Sequence, residues 1–153
     1  MESETFESAN AGASHTTPAV VSSLRKNGHC MLKGHPVRIV EINTAKVGKH
    51  GSAKAKITGI DIFTGNKHEE IHPTGHNIDV PNIERKEFTL VDIDERDGFV
   101  TLMDDEGNNR EDLKLDNSDE CAKIRTMFND GLTVGVTVLN AMGQEKIIAG
   151  KEI

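Results

Sequence analysis

Turn signals interrupt this chain so often that no long helix fits between them. Asn27-Gly28, Lys33-Gly34, Gly65-Asn66, Pro73-Thr74-Gly75, Asp97-Gly98, Asp104-Asp105-Glu106-Gly107 and Asn129-Asp130-Gly131 each break the backbone direction. The intervals between them are short and carry Val, Ile, Leu and Thr in strand-like runs. With no Trp, no Tyr and five Phe in 153 residues, burial rests on aliphatic side chains. That favours small β-rich units over one large helical core.

The runs fall into two groups. Val20–Leu24, His29–Leu32, Val37–Ile42, Ala53–Phe63, Lys67–Ile71 and His76–Val80 come first, five or so short strands at a spacing that suggests a small barrel. Pro81-Asn82-Ile83 marks the boundary. Beyond it, Glu87–Ile93, Phe99–Met103 and Arg110–Leu115 read as three strands, the first two joined by a hairpin turn at Asp97-Gly98. A helix then starts at a cap of Asn117 or Ser118, with Asp119 and Glu120 in its first turn, and runs to about Phe128. Thr133–Leu139 and Lys146–Ile153 close the chain as strands. Three strands, a helix and two strands is the order of an OB-type barrel. The expected class is therefore all-β with one short helix, in two small barrels. The expected divisions are an acidic disordered tail over 1–17, a first barrel over 18–83 and a second over 84–153.

The net charge of −7 is unevenly spread. Residues 1–16 carry three acids and no Lys or Arg; residues 17–83 carry nine cations against five acids; residues 84–153 carry nine against seventeen. Only the first barrel is equipped to face a polyanion. The second, acidic and with only Phe88, Phe99 and Phe128 as aromatics, lacks the basic stacking surface that single strands need. No apolar run approaches the roughly 20 residues that span a bilayer, and the first residues lack the basic and apolar regions of a signal peptide. A cytoplasmic protein with no membrane partner is expected. Cys30 and Cys121 lie far apart with no CxxC spacing, and read as buried free thiols.

Two segments invite a chemical reading. His68-Glu69-Glu70-Ile71-His72 matches HExxH, with His76 four residues on. A zinc hydrolase needs both His on one face of a helix. Gly65-Asn66 upstream and Pro73 immediately after His72 refuse that helix. On a strand, His68 and His72 would still share a face, which allows a surface metal contact, but no metal site and no catalytic residue is expected.

The second segment is Asn43–Lys54. No acid lies between Glu41 and Asp61, while Lys46, Lys49, Lys54 and Lys56 are all present. Gly48 and Gly51 bracket Lys49-His50 and place that pair at a hairpin tip, open to close approach. A P-loop would need Ser or Thr after Lys49, where His50 stands. What remains is a phosphate-backbone contact or an acceptor lysine for another enzyme.

KVGKHGSAK at Lys46–Lys54 resembles the hypusination loop of the eukaryotic translation initiation factor 5A family, usually KTGKHGHAK. LRKNG (Leu24–Gly28), LKGHPVRIVE (Leu32–Glu41), GIDIFTGNKHE (Gly59–Glu69), HNIDVPNI (His76–Ile83) and REDLKL (Arg110–Leu115) are similar to the same family. Val47 and Ser52 stand where relatives usually carry Thr and His, and His68 and His72 where many carry Tyr and Cys. The resemblance implies an N-terminal SH3-like barrel and a C-terminal OB-fold, with Lys49 as the hypusine site. It implies that Lys46, Val47, Gly48, His50, Gly51, Ser52 and Lys54 face RNA and the modifying enzymes.

In that family, deoxyhypusine synthase transfers an aminobutyl group from spermidine, using NAD, and deoxyhypusine hydroxylase adds a hydroxyl. The modified factor binds the ribosome, stabilises the P-site tRNA and promotes peptide bond formation at stalled sites such as consecutive prolines, and also termination. The resemblance thus implies a factor that is not itself an enzyme and binds no cofactor. The alternative the residues leave open is a general RNA-binding protein using an unmodified basic hairpin.

Overall fold

The computed structural model describes residues 15–46 and 53–153. The chain divides into two compact units that part between Asn82 and Ile83. Strand β1 (Thr16–Val20), a single 3₁₀ turn (Val21–Ser23), β2 (His29–Leu32), β3 (His35–Lys46), β4 (Ala53–Asp61), β5 (Lys67–Pro73) and β6 (Asn77–Pro81) make the first unit. The second holds β7 (Glu84–Ile93), β8 (Phe99–Met103), β9 (Asn109–Lys114), helix α1 (Asp119–Asn129), β10 (Val134–Ala141) and β11 (Gln144–Glu152). Both are built from curled antiparallel sheet, in keeping with the two small barrels expected.

In the first unit, β2, β3, β4 and β5 form a four-stranded sheet in chain order, and β1 pairs with β6 as a separate ribbon. β1 begins at Thr16, paired with Pro81, so Thr16 and Thr17, placed in the tail by composition, belong to a strand. Residues 1–14 lie outside the described residues. The apolar run Val20–Leu24 is not one strand: Val20 ends β1 and the chain then turns away. Val21 and Ser22 donate their N–H groups to the carbonyls of His76 and Thr74, and the chain turns there in a 3₁₀ step. The alternation along β4 puts Ala55 and Ile57 inward against Leu32, Val37 and Ile39, with Cys30 beside them. Gly59 is required where β4 crosses β3, since a Cβ there would lie 2.4 Å from Val37 Cγ2.

In the second unit the sheet order is β11-β10-β7-β8-β9, with α1 inserted between β9 and β10 as an OB-type order demands. Ser118 caps α1 by accepting from the Cys121 N–H at 3.2 Å. Ile124 of α1 packs onto β11 over Gly150, where a Cβ would come within 2.4 Å of Ile124 Cγ1. Val134, Val136, Val138, Leu102 and Val100 supply the rest of the core. The β7–β8 connection spans residues 94–98, as the expected strand ends at Ile93 and Phe99 leave it. Gly98, at φ 85°, donates to the Asp94 carbonyl at 2.7 Å, and Asp94 Oδ1 accepts from the Arg96 N–H.

The edges of this sheet are tied by Arg110 on β9. Its guanidinium donates to both carboxylate oxygens of Glu145 on β11, at 2.6 and 3.0 Å, and to both of Asp112 at 2.7 Å. It lies over the Phe88 ring at 5.6 Å. The hydrogen bonds from Arg110 hold the Glu145 carboxyl below its ordinary range. A carboxyl whose folded pKa is lowered contributes stability above its unfolded value, and that contribution is lost as pH falls through the folded value. Glu145→Gln is expected to cost about 1–2 kcal/mol at pH 7. It should cost progressively less below about pH 4.5, as measured by denaturant unfolding across a pH series.

Burial, with a smaller push from Glu70, raises the Cys30 thiol to about 12. Burial also raises the Cys121 thiol. Neither should be thiolate at neutral pH, so a dithiobenzoate reagent is expected to leave both untouched in the native chain and to titrate both in denaturant.

Candidate functional site: the root of the basic hairpin

β3 and β4 pair from Val37↔Asp61 out to Lys46↔Ala53. The inner end of this ladder is core, and toward its outer end, the arm, Asn43, Thr44, Ala45 and Lys46 of β3 are all exposed, while on β4 Ala55 is still buried and β5 pairs as far as Lys54↔Pro73. β3 thus runs four residues past the strand end expected at Ile42, and the region read as loop narrows to its tip. Residues 47–52, holding Val47, Gly48, Lys49, His50, Gly51 and Ser52, lie outside the described residues. What the structure shows is the frame on either side of them.

Register decides where the flanking cations point. Residues opposite each other share a face, and successive residues alternate. Lys46, opposite Ala53, shares the face of buried Ala55, while Lys54 and Lys56, opposite Ala45 and Asn43, take the other face. The two flanking cations, Lys46 and Lys54, therefore leave the arm on opposite sides, and both are exposed. Lys56 is held: its Nζ lies 3.8 Å from Glu69 on β5. The local absence of acids in the sequence gave no sign of this cross-strand partner.

The root is pinned on one side. The Ala53 carbonyl, on the first described residue after the tip, accepts from the Thr74 N–H at 3.0 Å and from the Thr74 hydroxyl at 3.2 Å. Pro73, opposite Lys54, ends β5 there because it has no N–H to extend the ladder. Under the arm, Val21, Leu24, Arg25 and Lys26 face Val40, Ile42, Thr44 and Thr74 across a cavity of about 540 Å³. The Arg25 guanidinium is fixed at its lip by the Ser22 and Leu24 carbonyls, at 3.0 and 2.9 Å. Arg25, Lys26 and Thr74 were not singled out by the sequence pattern, since nothing local to them shows that they meet the hairpin root.

The HExxH segment is strand β5, as Pro73 requires, and not a helix. His72 Nε2 contacts Glu70 at 2.8 Å, His68 stacks on His35, and His76 sits beyond β5 in the following turn. The three histidines do not converge. No helix among the described residues is long and apolar enough to cross a membrane.

Comparison with known proteins bears on this arm directly. Residues 14–76 match the family described as translation initiation factor 5A-like, N-terminal, and residues 82–151 match the family described as eukaryotic elongation factor 5A hypusine, DNA-binding OB fold. The chain belongs to the eukaryotic translation initiation factor 5A family. It is 48% identical over 151 residues to eukaryotic translation initiation factor 5A of Spodoptera exigua, covering 99% of this chain and 94% of that protein. It is 46% identical over 153 residues to factor 5A-1 of Arabidopsis thaliana, covering 99% and 96%. Among solved structures, the family protein from Naegleria fowleri superposes with a TM-score of 0.79 at 45% identity, covering 90% of this chain and 99% of that one. The factor from Methanococcus jannaschii superposes at 0.72 with 30% identity, covering 90% and 96%. The family is one of translation factors, and its two domains correspond to the two barrels described above.

Because the Thr74 hydroxyl fastens the distal end of β4 through its bond to the Ala53 carbonyl, Thr74→Val should loosen the arm without disturbing the core. The expected cost is about 0.5–1.5 kcal/mol in global stability. The backbone amide at position 74 should exchange with solvent measurably faster, read by hydrogen exchange.

Proposed function

We propose that this chain is a hypusine-bearing translation factor that acts on the ribosome through Lys49. The observation that carries the reading is the arm. A ladder rooted in the core runs out to Lys46 and Ala53, the described residues on either side of 47–52, with Lys46 and Lys54 on opposite faces, in a chain whose second half matches a family described by hypusine. Lys49 accepts an aminobutyl group from spermidine, delivered by deoxyhypusine synthase, and then a hydroxyl from deoxyhypusine hydroxylase. Alkylation keeps the ε-amine cationic and sets a second amine farther out, giving a long dication suited to a cleft lined by phosphates. Lys46, Val47, Gly48, His50, Gly51, Ser52 and Lys54 make the surface that the modifying enzymes and then RNA meet.

On the ribosome the modified side chain steadies the P-site tRNA and promotes peptide bond formation at stalled sites such as consecutive prolines, and assists termination. The contribution is positional: it holds a reactive end in geometry and supplies no general base, so the factor is not an enzyme and binds no cofactor of its own. The acidic second barrel acts as a spacer or protein-facing surface. The working compartment is the cytoplasm.

Peptide mass spectrometry across Lys46–Lys54, on protein from its native cells, is expected to show Lys49 heavier by an aminobutyl group and one oxygen. Lys49→Arg keeps a cation but cannot be modified, and should abolish relief of stalling in a translation assay on a polyproline message. Retention of full activity by that variant, with an unmodified Lys49 in the native protein, would favour a general RNA-binding hairpin instead.

A further inference from the structure

At the end of the sheet opposite the arm, three potential metal ligands come together from three strands. His35 opens β3, Asp61 closes β4 and His68 lies near the start of β5. The register pairs Val37 with Asp61 and Gly59 with His68. The period of two then sets His35, Asp61 and His68 on one face, the face that Val37 and Ile39 turn to the core. Each offers a ligand atom within 4.8 Å of the other two.

Their present partners leave coordination capacity unused. Asp61 is only 4% exposed. Its Oδ1 is occupied by the N–H groups of Phe63 and Thr64, at 2.8 and 3.2 Å, which fixes the carboxylate and turns Oδ2 to His35 Nδ1 at 3.3 Å. His68 stacks on His35 with ring centroids 4.5 Å apart and planes within 8°. Its Nε2 is buried and has no hydrogen-bond partner among the described residues. A buried ring nitrogen left without a partner calls for an occupant.

We propose that His35, Asp61 and His68 bind one divalent transition-metal ion of the zinc class, with water completing a four-coordinate shell. Two imidazoles and one carboxylate are a donor set that such ions favour over magnesium or calcium. Tetrahedral bonds of about 2.0–2.1 Å place ligand atoms about 3.3 Å apart, so ligand atoms that now lie within 4.8 Å have to close by up to about 1.5 Å. The in-plane lone pairs of stacked rings do not meet, so loading turns the two rings out of their stack. The half-exposed side of His35 admits the water. The sequence reading expected no metal and weighed only His68 with His72; the fold instead sends His72 to Glu70 and gives His68 a partner 33 residues away in the chain.

The test is calorimetric titration of zinc chloride into the untagged, chelator-stripped full chain, with cobalt(II) absorption as a second readout. One equivalent is expected to bind at micromolar or lower Kd, with visible d–d bands from cobalt and a zinc-dependent rise in Tm. His35→Gln and His68→Gln should each weaken binding at least tenfold and remove the Tm shift, while His72→Gln leaves both unchanged. His35 is half exposed, so its variant should fold, as checked by unfolding without metal. Absence of stoichiometric binding would overturn the site, as would binding that survives either the His35 or the His68 change. Loss of binding in His72→Gln would move the ion to the His68–His72 pair and overturn it equally.

Discussion

The pairing of β3 with β4 is the interaction on which the first barrel and its arm both depend. One half of that ladder is buried, with Val37 and Ile39 against Ile57 and with Gly59 under Val37. The outer part is exposed along β3, with Ala55 of β4 as its last core residue. A one-residue slip would flip every side chain in the buried half to the wrong face, so the core locks the register. The arm inherits that register through continuous hydrogen bonding. Lys46 and Lys54 therefore take opposite faces because Ile57 has to point inward, although neither lysine touches Ile57 through the core. The bulge between Ile39 and Glu41 is the one register shift along this ladder.

Much of this was legible in the sequence because turn chemistry and period-two alternation are local signals. Ala53, Ala55 and Ile57 against Lys54 and Lys56 announced both strand and face, and Ser118 with Asp119 and Glu120 announced the helix start. What stayed hidden was non-local. Thr16 joins a strand because Pro81 is there to receive it, and no feature of the acidic segment before it says so. Val21–Ser23 looked like a strand by hydrophobicity, yet its N–H groups find the carbonyls of the turn after β5 instead of a ladder. The same limit applies to the arm's surroundings. Glu69 reaching Lys56, and Thr74 reaching Ala53, are contacts across strands between residues 13 and 21 positions apart. The family resemblance supplied Lys49, which residue physics alone could rank only as an exposed cation between glycines.

The two units solve one problem differently. Each has few large side chains and must close a small sheet without much apolar area to spare. The first closes with backbone, using the β1–β6 ribbon and the carbonyls that receive Val21 and Ser22. The second closes with charge, using Arg110 between Glu145 and Asp112 over the Phe88 face. An acidic unit can keep an arginine there at little cost, because two carboxylates and a ring satisfy it at once. Two of the acids in residues 84–153, Asp112 and Glu145, thus have a structural use.

The histidine–aspartate cluster and the arm occupy opposite ends of the same three strands. Eleven residue steps along β3 separate His35 from Lys46, a span of roughly 36 Å if the strand were fully extended. Electrostatic influence over such a distance is screened out in physiological salt, where the Debye length is about 8 Å. An ion at the far end can therefore reach the arm only mechanically, by clamping β3, β4 and β5 in their register. Its effect would fall first on the stability of the barrel. The chemistry of the arm would change only insofar as the ladder itself came loose.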